Sequence, residues 1–196
     1  AAATGLPSRD GLLREVMSSS VDGDTYLAEL RVSLACMPWL TDHRIRGNIV
    51  VPGALFIELA CETTVRGLGA AAVSIEHLAL EEALIIQGDV ERIVQVALTA
   101  GPLGTRTLRI SSRDASSDDA KWTVHVRGFA RSAAIDSEQR DPTLSAGAGR
   151  PASEHYASAR ARGLEYGPAF QGITELHSCN DSLWARVSLP SGLSAH

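Results

Sequence analysis

One apolar helix followed by a run of strands limits the possible folds more than any other feature of this 196-residue chain. Within residues 54–69, ALFIELACETTVRGLG, apolar or small residues recur at helical spacing: Leu55, Phe56, Leu59, Ala60 and Thr63. Pro52 is typical of a helix entrance, and Gly67 and Gly69 are typical of its exit. Because polar residues are few in this segment, we expect the helix to be largely enclosed.

Strand patterns lie on both sides of this helix. Residues 25–34, TYLAELRVSL, place Tyr26, Ala28, Leu30, Val32 and Leu34 on one face, and we expect this strand to open the fold. Four further strand-like stretches cover residues 72–86, 90–100, 105–113 and 121–131, separated by turn signals. In the last of them Trp122, Val124 and Val126 alternate with Thr123, His125 and Arg127. The order predicts an α+β fold in which an antiparallel sheet wraps around the helix.

Composition divides the chain into two unequal units. Residues 1–132 contain the helix and the strands, whereas residues 133–150 are rich in Ser, Ala, Gly and Asp and predict a surface linker. Residues 151–196 predict a short helix opened by Pro151 and Ser153, a turn over 164–173, and two strands joined at Asn180 and Asp181. A unit of roughly 45 residues buries too little surface to stand alone, so we expect it to lean on the first or to begin a larger one.

Charge and cysteine content exclude several classes of protein. A net charge of −5 with scattered arginines predicts no nucleic-acid surface. No apolar run reaches the roughly 20 residues that span a membrane, and residues 1–11 do not resemble a signal peptide, so we expect a cytoplasmic protein. Cys36, Cys61 and Cys179 are odd in number and far apart, which predicts neither a disulfide framework nor a metal site.

Two motifs carry a family resemblance. His43, Gly47 and Pro52 fit H-x-x-x-G-x-x-x-x-P, and residues 163–172, GLEYGPAFQG, resemble G-Y-x-Y-G-P-x-F with Leu164 in place of the first tyrosine. Together with WTVHVRGFA at residues 122–130, they resemble the dehydratase domain of modular polyketide synthases. The resemblance implies a double hot dog fold, of which this sequence would hold the first hot dog and the start of the second.

The resemblance also implies roles for individual residues. His43 would be the general base that removes the α-proton of a β-hydroxyacyl thioester, a task that suits a neutral imidazole. Gly47, Pro52 and Gly53 would shape the loop and helix entrance that receive the thioester, and the Tyr166 hydroxyl would reach the site. The family's second catalytic residue is an aspartate in a segment resembling H-P-x-x-L-D, which we expect beyond His196, because neither Asp42 nor Asp181 matches it.

The function implied is dehydration of a β-hydroxyacyl chain on an acyl carrier protein, with other synthase domains as partners and possible homodimer formation. No cofactor or metal is expected, since the phosphopantetheine of the carrier holds the substrate. The alternative is an altered member that binds the acyl chain, scaffolds the synthase, or performs cyclisation or double-bond migration. We expect residues 1–196 alone to be inactive. We expect the remaining histidines to be structural or solvated. The same holds for Arg150, Arg160 and Arg162, although an alternative interpretation is that these arginines contact the carrier protein.

Overall fold

The computed structural model describes residues 11–116, 121–134, 150–179 and 182–190. The helices are Gly53–Leu68 (α1) and Ser153–Ala161 (α2). The strands are Val16–Ser18 (β1), Tyr26–Val32 (β2), His43–Ile45 (β3), Asn48–Val50 (β4), Val73–Leu80 (β5), Ile85–Ile86 (β6), Arg92–Ala100 (β7), Arg106–Asp114 (β8), Thr123–Ser132 (β9), Arg150–Pro151 (β10), Leu164–Tyr166 (β11), Ile173–Cys179 (β12) and Ser182–Val187 (β13). In this part of the chain no helix is long and apolar enough to cross a membrane.

The largest sheet has the strand order β1-β2-β7-β8-β9-β5, and each neighbouring pair is antiparallel. Helix α1 packs against all six of these strands. The apolar side chains between helix and sheet, among them Leu59, Leu98, Leu108 and Ile110, are completely buried. Burying such side chains is worth about 1.5 to 3 kcal/mol each and holds the sheet around the helix. The predicted α+β class and the enclosed helix are therefore confirmed.

Helix α1 buries the face that its spacing predicted, and that face also contains Thr64. Pro52 immediately precedes the first helical residue, as expected, and Gly69 ends the helix in the left-handed conformation at φ 60°. The prediction that Gly67 marks the exit is wrong, since it lies inside the helix. A Cβ atom there would come within 2.9 Å of the Tyr26 ring, so Gly67 lets β2 approach closely.

Three strand predictions need correction. The first described strand is β1, which pairs with β2, so residues 25–34 do not open the fold. Residues 72–86 form two strands, β5 and β6, which belong to different sheets. In β9 the register shifts so that Ile110 pairs with Val126 and Ser111 with Val124. This β-bulge turns His125 inward together with Val126, and His125 is buried rather than on the polar face.

The second unit packs partly by itself and partly on the first. Strands β10, β12 and β13 form a small antiparallel sheet, and α2 lies beside it. Strand β11 instead joins β3, β4 and β6 in a four-stranded sheet, so the turn predicted over residues 164–173 is partly a strand. Residues 135–149 of the predicted linker and the predicted turn at Asn180 and Asp181 lie outside the described residues. The boundaries 1–132, 133–150 and 151–196 stay a prediction.

Candidate active site

An open cleft of about 680 Å³ lies between the start of α1 and the second unit. Its described lining consists of His43, Pro52, Gly53, Ala54, His155, Tyr156, Tyr166, Ala169, Phe170, Gly172, Ile173, Val187, Ser188, Leu189 and Pro190. Most of these residues are apolar, and the polar ones are histidines, tyrosines and a serine. Such a lining is typical of a site that holds an apolar ligand with a few oriented polar groups.

His43 is the first residue of β3, and its ring is fixed by a hydrogen bond between Nδ1 and the Val50 carbonyl oxygen at 2.7 Å. A carbonyl oxygen can only accept, so Nδ1 carries a proton, and in the neutral ring Nε2 keeps its lone pair. The hairpin of β3 and β4 supplies this geometry, since it returns Val50 to the side of His43. His43 is therefore an oriented, half-buried imidazole with one nitrogen available to accept a proton.

The start of α1 forms the wall beside His43. Pro52, Gly53 and Ala54 line the cleft, and the first N–H groups of a helix have no partner within the helix. Together with the helix dipole, such groups stabilise negative charge on a bound oxygen. A Cβ atom on Gly53 would come within 3.3 Å of the Leu80 side chain, so the glycine also makes room for β5.

Tyr166 lies directly opposite His43, because β11 and β3 pair with Tyr166 in register with His43. The ring centroids of these two residues are 5.5 Å apart. Phe170 packs against both His43, at 4.9 Å, and Trp39, at 5.9 Å. The sequence motif around Tyr166 and the motif around His43 are thus brought together, although they lie far apart in the chain.

Asp42 ties the two motifs to each other. Its carboxylate Oδ2 accepts a hydrogen bond from the Ala169 backbone N–H at 2.9 Å, and its carbonyl accepts one from the Gly167 N–H at 2.7 Å. A Cβ atom on Gly167 would lie 2.4 Å from the Asp42 carboxyl group, so this close contact requires glycine. Asp42 therefore positions the 164–170 segment beside His43.

Gly47 is not among the residues that line the cleft. It occupies the turn between β3 and β4 at φ 80°, a conformation that favours glycine. Its N–H donates to the Glu165 carboxylate at 3.0 Å, and the Arg46 N–H donates to the Gly163 carbonyl at 2.7 Å. Gly47 therefore helps to hold β11 to the hairpin of β3 and β4. It does not line the cleft at the helix entrance, where the resemblance places the thioester.

Sequence reasoning missed His155 and Tyr156, which lie next to each other on α2 and both line the cleft. No motif marks them, since α2 is short and mostly polar. The arginines Arg150, Arg160 and Arg162 are exposed and are not among the cleft residues, and their contact with a carrier stays a hypothesis. No aspartate or glutamate is among the described residues of the cleft.

His125 has a different setting, in the buried core beside α1. Its Nδ1 lies 2.8 Å from the Glu82 carbonyl oxygen, and its Nε2 lies 2.8 Å from Ser112 Oγ. The ring stacks on Phe56 of α1 at 5.8 Å and an interplanar angle of 7°. Because the carbonyl only accepts, Nδ1 carries the proton and Nε2 accepts from the serine hydroxyl. Both ring nitrogens are satisfied, which explains how a histidine can be buried here.

Comparison with known proteins identifies the family to which this chain is similar. A family model described as polyketide synthase dehydratase domain matches residues 11–113, and one described as polyketide synthase dehydratase N-terminal domain matches residues 136–196. Polyketide synthase GfsA from Streptomyces halstedii is 32% identical over 193 residues, which are 94% of this chain and 2% of that polypeptide.

Solved structures agree in fold. The dehydratase domain from the CurJ module of the curacin polyketide synthase matches with a TM-score of 0.82 and 24% identity, covering 93% of this chain and 63% of that one. The erythromycin dehydratase matches with a TM-score of 0.75 and 27% identity, covering 93% of this chain and 67% of that one. The predicted hot dog fold is therefore confirmed. The chain belongs to the polyketide synthase dehydratase family.

Proposed function

We propose that the domain to which this chain belongs dehydrates a β-hydroxyacyl thioester to an α,β-unsaturated thioester, with His43 as the general base. The observation that carries this proposal is the hydrogen bond from His43 Nδ1–H to the Val50 carbonyl at 2.7 Å. It fixes the tautomer in which Nε2 can accept a proton, within a largely apolar cleft.

The chemistry needs three groups. Nε2 of His43 takes the α-proton, while the N–H groups at the start of α1 stabilise the charge that develops on the thioester oxygen. The departing β-hydroxyl needs a proton from an acid. We propose that this acid is an aspartate outside residues 1–196, because no segment of this sequence matches the family's H-P-x-x-L-D motif. Tyr166, in register with His43, would contribute its hydroxyl to the same site.

The substrate carrier and the partners follow from the family. We propose that the acyl chain arrives on the phosphopantetheine of an acyl carrier protein. The other partners in this proposal are the neighbouring domains of a polyketide synthase and a second copy of the domain. No cofactor or metal takes part in this proposal. Two curated relatives, polyketide synthases GfsA and GfsB, are long polypeptides of which this chain matches 2% and 4%.

The test is loss of water from a 3-hydroxyacyl chain on an acyl carrier protein, followed by mass spectrometry in the full-length domain. His43→Ala is expected to lower turnover by at least about a hundredfold, the usual range for removing a general base. His77→Asn is the matched control, because His77 is exposed on β5 and asparagine tolerates its φ of 50°.

Two outcomes would redirect the proposal. Full turnover by His43→Ala would remove His43 from the role of base. Binding of the acyl chain without water loss by the unsubstituted domain would favour the alternative of an altered member that binds the chain, scaffolds the synthase, or catalyses cyclisation or double-bond migration.

A further inference from the structure

Tyr156 lines the cleft, and its hydroxyl group is held in place by a hydrogen bond. Its Oη accepts a hydrogen bond from the Ile173 backbone N–H at 2.9 Å, which joins α2 to the start of β12. Its ring meets the Tyr166 ring edge-on, with centroids 6.4 Å apart, and the His155 ring at 5.3 Å. The side chain is therefore held from three directions before any ligand arrives.

The hydrogen of this hydroxyl is available to a ligand. A phenol can accept and donate, and the described residues supply Tyr156 Oη with a donor but with no acceptor. Accepting the Ile173 N–H also polarises the O–H group and strengthens it as a donor. On this side of the cleft the other lining residues are mainly apolar: Ile173, Val187, Leu189 and Pro190. An oriented donor among mainly apolar groups helps to decide how a ligand is oriented.

The position of Tyr156 suggests which oxygen it would meet. The start of α1 and His43 form one side of the cleft, where the thioester oxygen and the α-carbon would lie. Tyr156 belongs to the other side, beyond Tyr166, whose ring contacts both His43 and Tyr156. The β-carbon, which carries the hydroxyl group, extends from the α-carbon away from the thioester group. The hydroxyl group would therefore lie toward this second side.

We propose that Tyr156 donates a hydrogen bond to the β-hydroxyl oxygen of the substrate and keeps that oxygen in position for its departure. This inference rests on the proposed function, because it assumes that the cleft binds a β-hydroxyacyl thioester. Tyr156 retains its proton throughout, and it binds and orients the substrate without acting as the acid.

The test compares the binding of two pantetheine thioesters to the full-length domain by calorimetry. One carries a 2,2-dimethyl-3-hydroxyacyl chain, and the other carries the same chain without the hydroxyl group. Neither probe has an α-proton, so neither can be dehydrated whichever residue is the base. In Tyr156→Phe the dissociation constant of the hydroxylated probe is expected to rise about tenfold, the effect of one lost hydrogen bond. That of the other probe is expected to change by less than about twofold.

The ratio of the two dissociation constants distinguishes the loss of a hydrogen bond to the probe's hydroxyl group from a general change in the shape of the cleft. Loss of the Ile173 contact alone would weaken both probes equally and leave the ratio unchanged, which would overturn the inference. Failure of the unsubstituted domain to bind either probe would overturn it as well. Tyr26→Phe is the matched control, since Tyr26 lies on β2 against Gly67, outside the cleft. A domain that shows the expected ratio but does not dehydrate its natural substrate would refute the proposed function and leave the role of Tyr156 intact.

Discussion

Replacing His125 by alanine is expected to destabilise the domain by about 3 to 5 kcal/mol. His125 is 2% exposed, and its two ring nitrogens bond Ser112 Oγ and the Glu82 carbonyl at 2.8 Å each. Ser112 is also 2% exposed, so its hydroxyl would be left without a partner at a cost of about 1 to 3 kcal/mol. The bond to Glu82, at a more open position, contributes about 1 kcal/mol, and the stack on Phe56 adds about 0.5 to 1.5 kcal/mol.

The substitution of His125 is expected to affect the cleft as well as the stability of the domain. The His125 ring bonds the Glu82 carbonyl in the turn after β5, and in the same turn the Leu84 carbonyl accepts from the Val51 N–H at 2.8 Å. Strand β6 then pairs with β4, which ends at Val50, the partner of His43. The turn that His125 holds therefore supports the strand that orients His43, so we expect turnover to fall in His125→Ala as well.

Urea unfolding of the full-length domain, followed by tryptophan fluorescence, measures the change in free energy. His125→Phe keeps the stacked ring but strands the Ser112 hydroxyl, and it is expected to cost about 2 kcal/mol. His77→Asn, on the exposed side of β5, is expected to stay within about 0.5 kcal/mol of the unsubstituted domain. A loss below about 1 kcal/mol in His125→Ala would refute the reasoning that the buried histidine is a bonded part of the core.

Two further predictions concern packing and thiol reactivity. Gly167→Ala is expected to destabilise the domain by about 1 to 3 kcal/mol and to lower turnover, because the added methyl group meets the Asp42 carboxyl at 2.4 Å. A loss below about 0.5 kcal/mol in urea unfolding would contradict the clash. Burial raises the pKa of the Cys61 thiol, and the charge of Glu58 adds to this effect. At pH 8 we therefore expect iodoacetamide to label Cys61 more slowly than the exposed Cys36, as measured by peptide mapping. Faster labelling of Cys61 would contradict this prediction.

The sequence predicted the parts of the fold that depend on regular periodicity. The buried face of α1 and the alternation in β2 follow from burial at fixed spacing, and both appear as expected. The bulge at His125 could not be predicted, because one extra residue in β9 reverses the alternation and is set by the pairing with β8. Glycine is common at helix ends, so the sequence predicts a helix end at Gly67. In the structure, glycine is needed at this position because the Tyr26 ring of β2 leaves no room for a side chain.

The candidate site was predictable to the extent that motifs marked it. His43, Pro52, Gly53 and Tyr166 all line one cleft, although nothing in their spacing shows that β11 pairs with β3. That pairing is a contact between distant segments, and the Asp42 carboxylate, to which the sequence assigns no role, bonds the Ala169 N–H just beyond β11. Tyr156 reaches the cleft only because α2 packs beside β11, so no local pattern could have identified it.

Removal of the α-proton by His43 is the central claim, and isotope exchange tests it most directly. A 3-hydroxyacyl thioester deuterated at the α-carbon is incubated in water with the full-length domain, and mass spectrometry follows the loss of deuterium at that carbon. The unsubstituted domain is expected to remove one α-deuteron for each enoyl product formed, while His43→Ala retains it and His77→Asn behaves as the unsubstituted domain does. Loss of the label by His43→Ala at the unsubstituted rate would show that another group is the base.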